Sequence, residues 1–272
     1  VTVKIELVGF QVVGFDGVDM PHKHQFGLDV VAAPPPVQDH PPPGPSFRPG
    51  GQHRRRVPGG DDGKIIPAES HGLRVVSTGL LLDDEDTALM WRGLMLSKAL
   101  EQFLRDVAWA QDLDYLLLDM PPGTGDVQMA LARLLPQAEM VVVTTPQLAA
   151  QKVAARVADM ARRSHMPVIG VIENMSGFTT PEGEHYPLFG SGGGAALAAD
   201  LGVELLGAVP IDPRVAEGGD AGEPVVVADP DAAAATAIVG AAKALTSLLP
   251  PIADDGCSAR LTLVAEQLAK MG

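Results

Sequence analysis

Asp119-Met-Pro-Pro-Gly-Thr-Gly-Asp126 is the stretch where residue type and spacing come nearest to chemistry. Asp119 closes the apolar run Tyr115-Leu-Leu-Leu. A nucleotide-hydrolysing site sets a carboxylate at such a strand end to hold Mg²⁺, directly or through water. Gly123, Thr124 and Gly125 follow in a turn flexible enough for its amides to meet a terminal phosphate. The same residues also describe a plain strand-to-helix loop, with Asp126 as N-cap and two prolines stiffening the turn. Spacing alone does not separate the two descriptions.

Two further polar positions stand after apolar runs: Asn174 in Val171-Ile-Glu-Asn-Met-Ser176, and Asp212 in Leu206-Gly-Ala-Val-Pro-Ile-Asp-Pro213. Each precedes irregular backbone, so turn chemistry accounts for both. Phe189-Gly-Ser-Gly-Gly-Gly194-Ala195 fits a loose G-x-G-x-x-A dinucleotide fingerprint, but that pattern needs a strand immediately before it. The preceding His185-Tyr-Pro-Leu is short, polar at its start and broken by Pro187. A flexible loop opening a helix near Ala195 is the stronger expectation. His22, His24, His40 and His53 are irregularly spaced, with no cysteine or carboxylate cluster, and read as solvated rather than metal-ligating.

The elements that position these residues begin at Gly63. Leu73 to Thr78, Tyr115 to Asp119, Met140 to Thr144, Val168 to Ile172 and Leu205 to Val209 read as strands. Leu89 to Leu104, Val127 to Leu135, Leu148 to Arg163, Asp231 to Leu248 and Ser258 to Lys270 read as helices. Uninterrupted apolar strands alternating with helices are buried on both faces, which predicts an α/β fold with a doubly wound, mostly parallel sheet. Residues 1–62 read differently. Nine prolines fall between Pro34 and Pro58, followed in part by Arg54-Arg-Arg56. That composition suits neither ladder nor helix, so 33–62 is expected to be extended and disordered. Val3 to Phe15 and Leu28 to Ala32 have the pattern of short strands.

Aromatic residues are only 4 % of the chain against 46 % hydrophobic, so Val, Leu, Ile, Ala and Met must build the core. Residues 1–60 carry a net charge of +1 and the remainder −15. An acidic body does not track a phosphate backbone, which argues against nucleic acid as a partner. Cys257 is the single cysteine, so no intrachain disulfide forms. No apolar run reaches the roughly 18 residues of a membrane span. The chain start lacks the pattern of a signal peptide. A cytoplasmic protein without a membrane partner is the expectation.

The octet at Asp119, preceded by Met90-Trp-Arg-Gly93 and Ala99-Leu-Glu-Gln-Phe-Leu104, resembles the Mrp/ApbC family of iron–sulfur cluster carriers. That family lies in the deviant P-loop group that also includes MinD and ParA. Val143-Thr-Thr-Pro-Gln147, Val171 to Ser176, Phe189 to Gly194 and Leu206 to Pro213 match in order. The resemblance runs from about Asp62 to Pro250. It implies a P-loop NTPase-like fold, ATP and Mg²⁺ as ligands, ATP hydrolysis, a homodimer, and delivery of iron–sulfur clusters to apoproteins under ATP control. Carried over by residue, Asp119 is the catalytic Walker B aspartate and Mg²⁺ ligand, and Gly123, Thr124 and Gly125 form switch II. Asn174 contacts adenine, while Pro210 and Asp212 close over the base. The domain expectation is a non-matching segment 1–62, the NTPase domain at 63–250, and a C-terminal loop and helix at 251–272.

Two family features are not found in these 272 residues. The phosphate loop should end in Gly-Lys-Ser/Thr. Gly59-Gly-Asp-Asp-Gly-Lys64 is followed instead by Ile65-Ile-Pro67, without hydroxyl or helix start. The first βα unit is therefore expected to be missing, through truncation or a shifted reading frame. A central strand's place would stand open unless Val3 to Phe15 fills it. ATPase activity is correspondingly uncertain, since most phosphate affinity in P-loop proteins comes from that loop. The family's Cys-x-x-Cys would lie near Phe178-Thr-Thr-Pro-Glu-Gly183, where there is no cysteine. Cluster ligands are thiolates, and Cys257 offers at most two per dimer. The alternative to a cluster carrier is a nucleotide-free remnant or a MinD/ParA-like positioning module. Ser258 to Met271 is poorly basic for anionic lipid, however, with Arg260 and Lys270 against Glu266.

Overall fold

The computed structural model describes residues 3–8, 29–33, 63–77, 93–109, 113–120 and 125–249. The strands are β1 (Val3–Val8), β2 (Asp29–Ala33), β3 (Ala68–Ser70), β4 (Leu73–Ser77), β5 (Tyr115–Met120), β6 (Glu139–Thr144), β7 (Val168–Thr179), β8 (His185–Tyr186) and β9 (Glu204–Ile211). The helices are α1 (Gly93–Arg105), α2 (Gly125–Leu134), α3 (Leu148–Arg163), α4 (Gly193–Leu201), α5 (Pro213–Ala221), α6 (Val225–Ala228) and α7 (Ala233–Leu248). The expectations for residues 33–62, the four histidines, the terminal helix and Cys257 lie outside the described residues.

The strands form one sheet in the order β3-β4-β2-β5-β1-β6-β7, with β8 and β9 both paired to β7. β5, β1, β6, β7 and β9 run parallel. β2 is antiparallel to both β4 and β5, so the sheet is mostly rather than wholly parallel. The central place is filled. Val3–Val8 lies between β5 and β6, with Leu7 opposite both Asp119 and Val141. An interior strand there spares β5 and β6 the cost of exposed edges.

Helices cover both faces, as buried strands require. On one face Leu116, Leu118, Met120, Met140, Val142 and Val171 pack against Leu100 and Phe103 of α1, Leu131 of α2, Ala158 of α3 and Leu197 of α4. On the other, Tyr115, Leu117, Val141, Ile169 and Ile172 meet Leu245 of α7. The small side chains of α3 that face inward, Ala154, Val157, Ala158 and Ala161, recur at helical spacing and let the helix lie close to the sheet. Each fully buried aliphatic side chain, such as Leu118, is worth about 1.5–3 kcal/mol.

One strand outruns its expectation. Its apolar run stops at Ile172, but β7 continues to Thr179. The polar Glu173 does not end it, because the residue is only 5 % exposed and its carboxylate is hydrogen-bonded inside the fold. Past Asn174 the strand bulges against β9, four residues of β7 spanning two of β9. Met175 takes a left-handed φ of 56° at this bulge. Beyond the bulge the strand stays paired to β9 at Phe178 and forms a hairpin with β8.

Candidate functional site at the carboxyl rim of the sheet

In open α/β sheets ligands bind beyond the carboxyl ends of the strands. Asp119 is the penultimate residue of β5, so it stands at this rim. It is half-buried and alternates with Leu116 and Leu118, which places it on the α7 face beside Leu117. Gly125 opens α2; Gly123 and Thr124 lie outside the described residues. Asn174 shares the α7 face, since Ile172 two residues earlier packs there. β1 and β6 separate β5 from β7, so the carboxylate and the amide are three strand spacings apart, about 14 Å. That is comparable to the length of an extended nucleoside triphosphate.

The Asn174 amide is oriented by its own backbone. Its Oδ1 accepts the Met175 N–H at 2.9 Å, which leaves a second lone pair and both amide hydrogens for a ligand. Val209 of β9 stands opposite Asn174, and Pro210 follows one residue further along. Asp212 is otherwise employed. As N-cap of α5 its Oδ1 accepts the Arg214 N–H at 3.0 Å, and its two oxygens accept from the Arg214 guanidinium at 2.9 and 2.7 Å. Hydrogen bonding from Arg214 holds the Asp212 carboxyl below the ordinary carboxylate range. A second ion pair joins Arg214 to Asp229 at 2.5 Å. The Asp212 carboxylate thus builds the turn; what it brings to the rim is the shape of residues 210–212.

Lys64 is no phosphate lysine. Its ammonium donates to the Arg105 carbonyl at 2.7 Å, at the C-terminus of α1, where a cation complements the helix dipole. The chain then passes to the amino end of β5, the end opposite Asp119.

The glycine-rich loop before α4 is not a dinucleotide site either. β8 before it has two residues and is antiparallel to β7. The amide of Gly194 is already taken by the Glu173 carboxylate, at 2.5 Å. A Cβ at Gly194 would lie 2.6 Å from that of Glu173, and one at Gly193 would strike the Gln151 amide. These glycines admit protein, not phosphate. Glu173 escaped the sequence reading, although a carboxylate inside an apolar strand was the available signal.

Mg²⁺ is bound through one or two carboxylates with waters and phosphates completing its shell, a role a single rim carboxylate fits. A cluster is another matter. Among the described residues no three His, Cys, Asp or Glu side chains converge. The β7–β8 hairpin is built from Thr179, Thr180, Glu184 and His185, with Thr179 Oγ1 3.2 Å from His185 Nδ1 and the Glu184 N–H donating to Thr180 Oγ1 at 3.3 Å. That donor set does not fit an iron–sulfur cluster. No helix among the described residues is long and apolar enough to cross a membrane.

Comparison with known proteins shows the family. Over 187 residues the chain is 46 % identical to an iron–sulfur cluster carrier protein of Aquifex aeolicus, covering 68 % of this chain and 51 % of that one. It is 45 % identical over 196 residues to a protein of the same name from Deinococcus radiodurans, covering 72 % and 55 %. The chain thus spans about half the length of the curated relatives it matches. A nucleotide-binding protein of Archaeoglobus fulgidus, solved in complex with ADP, superposes with a TM-score of 0.52 at 30 % identity, over 65 % of this chain and 67 % of that one. The model of the ParA family, described as NUBPL iron-transfer P-loop NTPase, matches residues 44–246, and the chain belongs to that family.

Proposed function

We propose that this chain is an adenine-nucleotide-binding iron–sulfur cluster carrier, a cytoplasmic homodimer that delivers clusters to apoproteins under nucleotide control. The observation that carries the nucleotide part is the placement of Asp119 and Asn174 on one face of one parallel sheet, three strands apart at the same rim. The carrier part rests on the relatives' names.

Asp119 would hold Mg²⁺, which would supply charge neutralisation to the phosphates, and the Gly123-Thr124-Gly125 turn would offer its amides to the last phosphate. Asn174 donates Nδ2–H to adenine N7 and accepts from the exocyclic amine, the pairing that suits asparagine to adenine. Pro210 and the backbone to Asp212 cover the base. The cluster is cargo, and the described residues offer it no thiolate; no step is assigned to it. Hydrolysis by these 272 residues stays at background, because no Gly-Lys-Ser/Thr supplies the phosphate cradle.

The test is ATP titration of the full chain with and without Mg²⁺, beside Asp119→Ala. Weak binding is expected, strengthened by Mg²⁺ in the wild type but not in the variant. The variant's loss is about tenfold, or 1.4 kcal/mol. Absence of any nucleotide binding would overturn the function. Vigorous Mg²⁺-dependent turnover that Asp119→Ala abolishes would overturn the assignment of background hydrolysis.

A further inference from the structure

Glu173 is buried and unused by the proposed chemistry, yet it adjoins the residue assigned to the base. Four elements meet at it. Its Oε2 accepts the Gly194 N–H at 2.5 Å, at the N-terminus of α4, where a carboxylate also complements the helix dipole. Gly194 approaches so closely that an added Cβ would come within 2.6 Å of the Glu173 Cβ and 3.1 Å of Oε2. The neighbouring Gly193 lies against the Pro146 carbonyl, where a Cβ would sit 2.5 Å away. Gln151 of α3 donates to that same carbonyl at 2.8 Å. In the sheet Glu173 is held between Thr144 of β6 and Ala208 of β9.

Successive strand residues face opposite sides. An anchor on the α4 side at Glu173 therefore sets where the next side chain, Asn174, emerges on the α7 side. Downstream, the Met175 N–H bonds Asn174 Oδ1 as the chain turns through a left-handed φ. Asn174 is bracketed on both sides, and only the upstream bracket is a side chain from the opposite face.

We infer that Glu173 is a positioning residue which, through its bond to Gly194, holds Asn174 where it discriminates adenine from guanine. The inference deepens the proposed function and rests on its reading of Asn174. Guanine presents O6 and N7, both acceptors, so the second acceptor of a fixed asparagine amide is left facing an acceptor. A loosely held amide rotates and accepts either base. Charge is not the requirement; an acceptor at this position is.

The experiment compares ADP and GDP affinities of the full-length wild type, Glu173→Gln, Glu173→Leu and Gly194→Ala, with amide hydrogen exchange of residues 172–178 in the nucleotide-free proteins. Glutamine keeps an acceptor for the Gly194 N–H; leucine keeps bulk without one. Gly194→Ala displaces the same contact with Glu173 intact, and it serves if Glu173→Leu does not fold. Glu173→Gln is expected to retain the ADP preference. Glu173→Leu and Gly194→Ala are expected to lose it by about tenfold, one hydrogen bond's net worth, with GDP affinity nearly unchanged. Exchange at Asn174 and Met175 should accelerate in those two variants and not in Glu173→Gln. Preference retained in Glu173→Leu and Gly194→Ala overturns the inference, as does equal loss in Glu173→Gln. A wild type that binds neither nucleotide overturns the proposed function instead. Exchange then decides the positioning: unchanged rates in Glu173→Leu and Gly194→Ala overturn it, and acceleration in those two alone sustains it.

Discussion

The two ends of the rim are built by different means. At the base end, β6, β7, α3, α4 and β9 are tied by bonds among their own side chains and loops: Glu173 to Gly194, Gln151 to Pro146, Asp212 to Arg214. At the phosphate end, Asp119 is delivered by β5, which relies on Val3–Val8 and β2 as its neighbours. At the base end Glu173, Gln151 and Asp212 each have an internal partner, and the Asn174 amide is oriented by the Met175 N–H. The other end supplies the Asp119 carboxylate from a strand held by neighbours on both sides. In the proposed function the first end meets the base and the second meets the phosphates and Mg²⁺.

The largest expected effect undoes both ends together. Leu118 is fully buried in β5, and Leu118→Ala should cost roughly 2–5 kcal/mol in urea unfolding, lowering the midpoint for the whole sheet. A loss confined to the phosphate end would break the picture of one sheet supporting both.

Next in size is Asn174→Ala. ATP affinity should fall by about 1.4 kcal/mol, tenfold, measured by calorimetric titration. ITP, which lacks the exocyclic amine, should lose less. Equal losses for the two nucleotides would remove base reading from this end.

Asp212→Ala tests whether that carboxylate is structural. Loss of the N-cap should cost about 0.5–2 kcal/mol in denaturant unfolding, with the ATP/ITP ratio unchanged. A changed ratio with unchanged stability would make Asp212 a direct base contact.

The smallest effect is the pH dependence of the same group. Arg214 holds the Asp212 carboxyl below its ordinary range, so the folded state binds this proton less readily than the unfolded chain. The stabilisation is present above the unfolded value of about 3.9 and is lost as pH falls through the folded one. Asp212→Asn should flatten that part of the acid-side decline in unfolding midpoint, and Asn174→Ala should leave it in place.

Much of this architecture was legible in the residues. Tyr115-Leu-Leu-Leu, Met140-Val-Val-Val and the 148–163 helix appear where the periodicity predicts them, because burial on both faces leaves strands no polar positions to alternate. Asp119 at a strand end follows from the same pattern. The expected end of β7 at Ile172 was too early, since apolar periodicity cannot anticipate a buried carboxylate matched to a helix amide 21 residues away. The antiparallel entry of β2 was likewise hidden, because strand direction is settled by pairing and not by side-chain pattern.

By itself, then, the sequence determined which segments are strands and helices, that the sheet is wound on both faces, and that a carboxylate closes a central strand. Those features are local, set by side-chain hydrophobicity and spacing. Only the tertiary structure decided that Val3–Val8 occupies the central slot, that Asp119 and Asn174 share one face, and that Asp212 and Glu173 spend their carboxylates on Arg214 and Gly194. These depend on which distant groups meet in space. A hydrogen bond closes only when both partners arrive, and neither partner's place is written in its own neighbourhood.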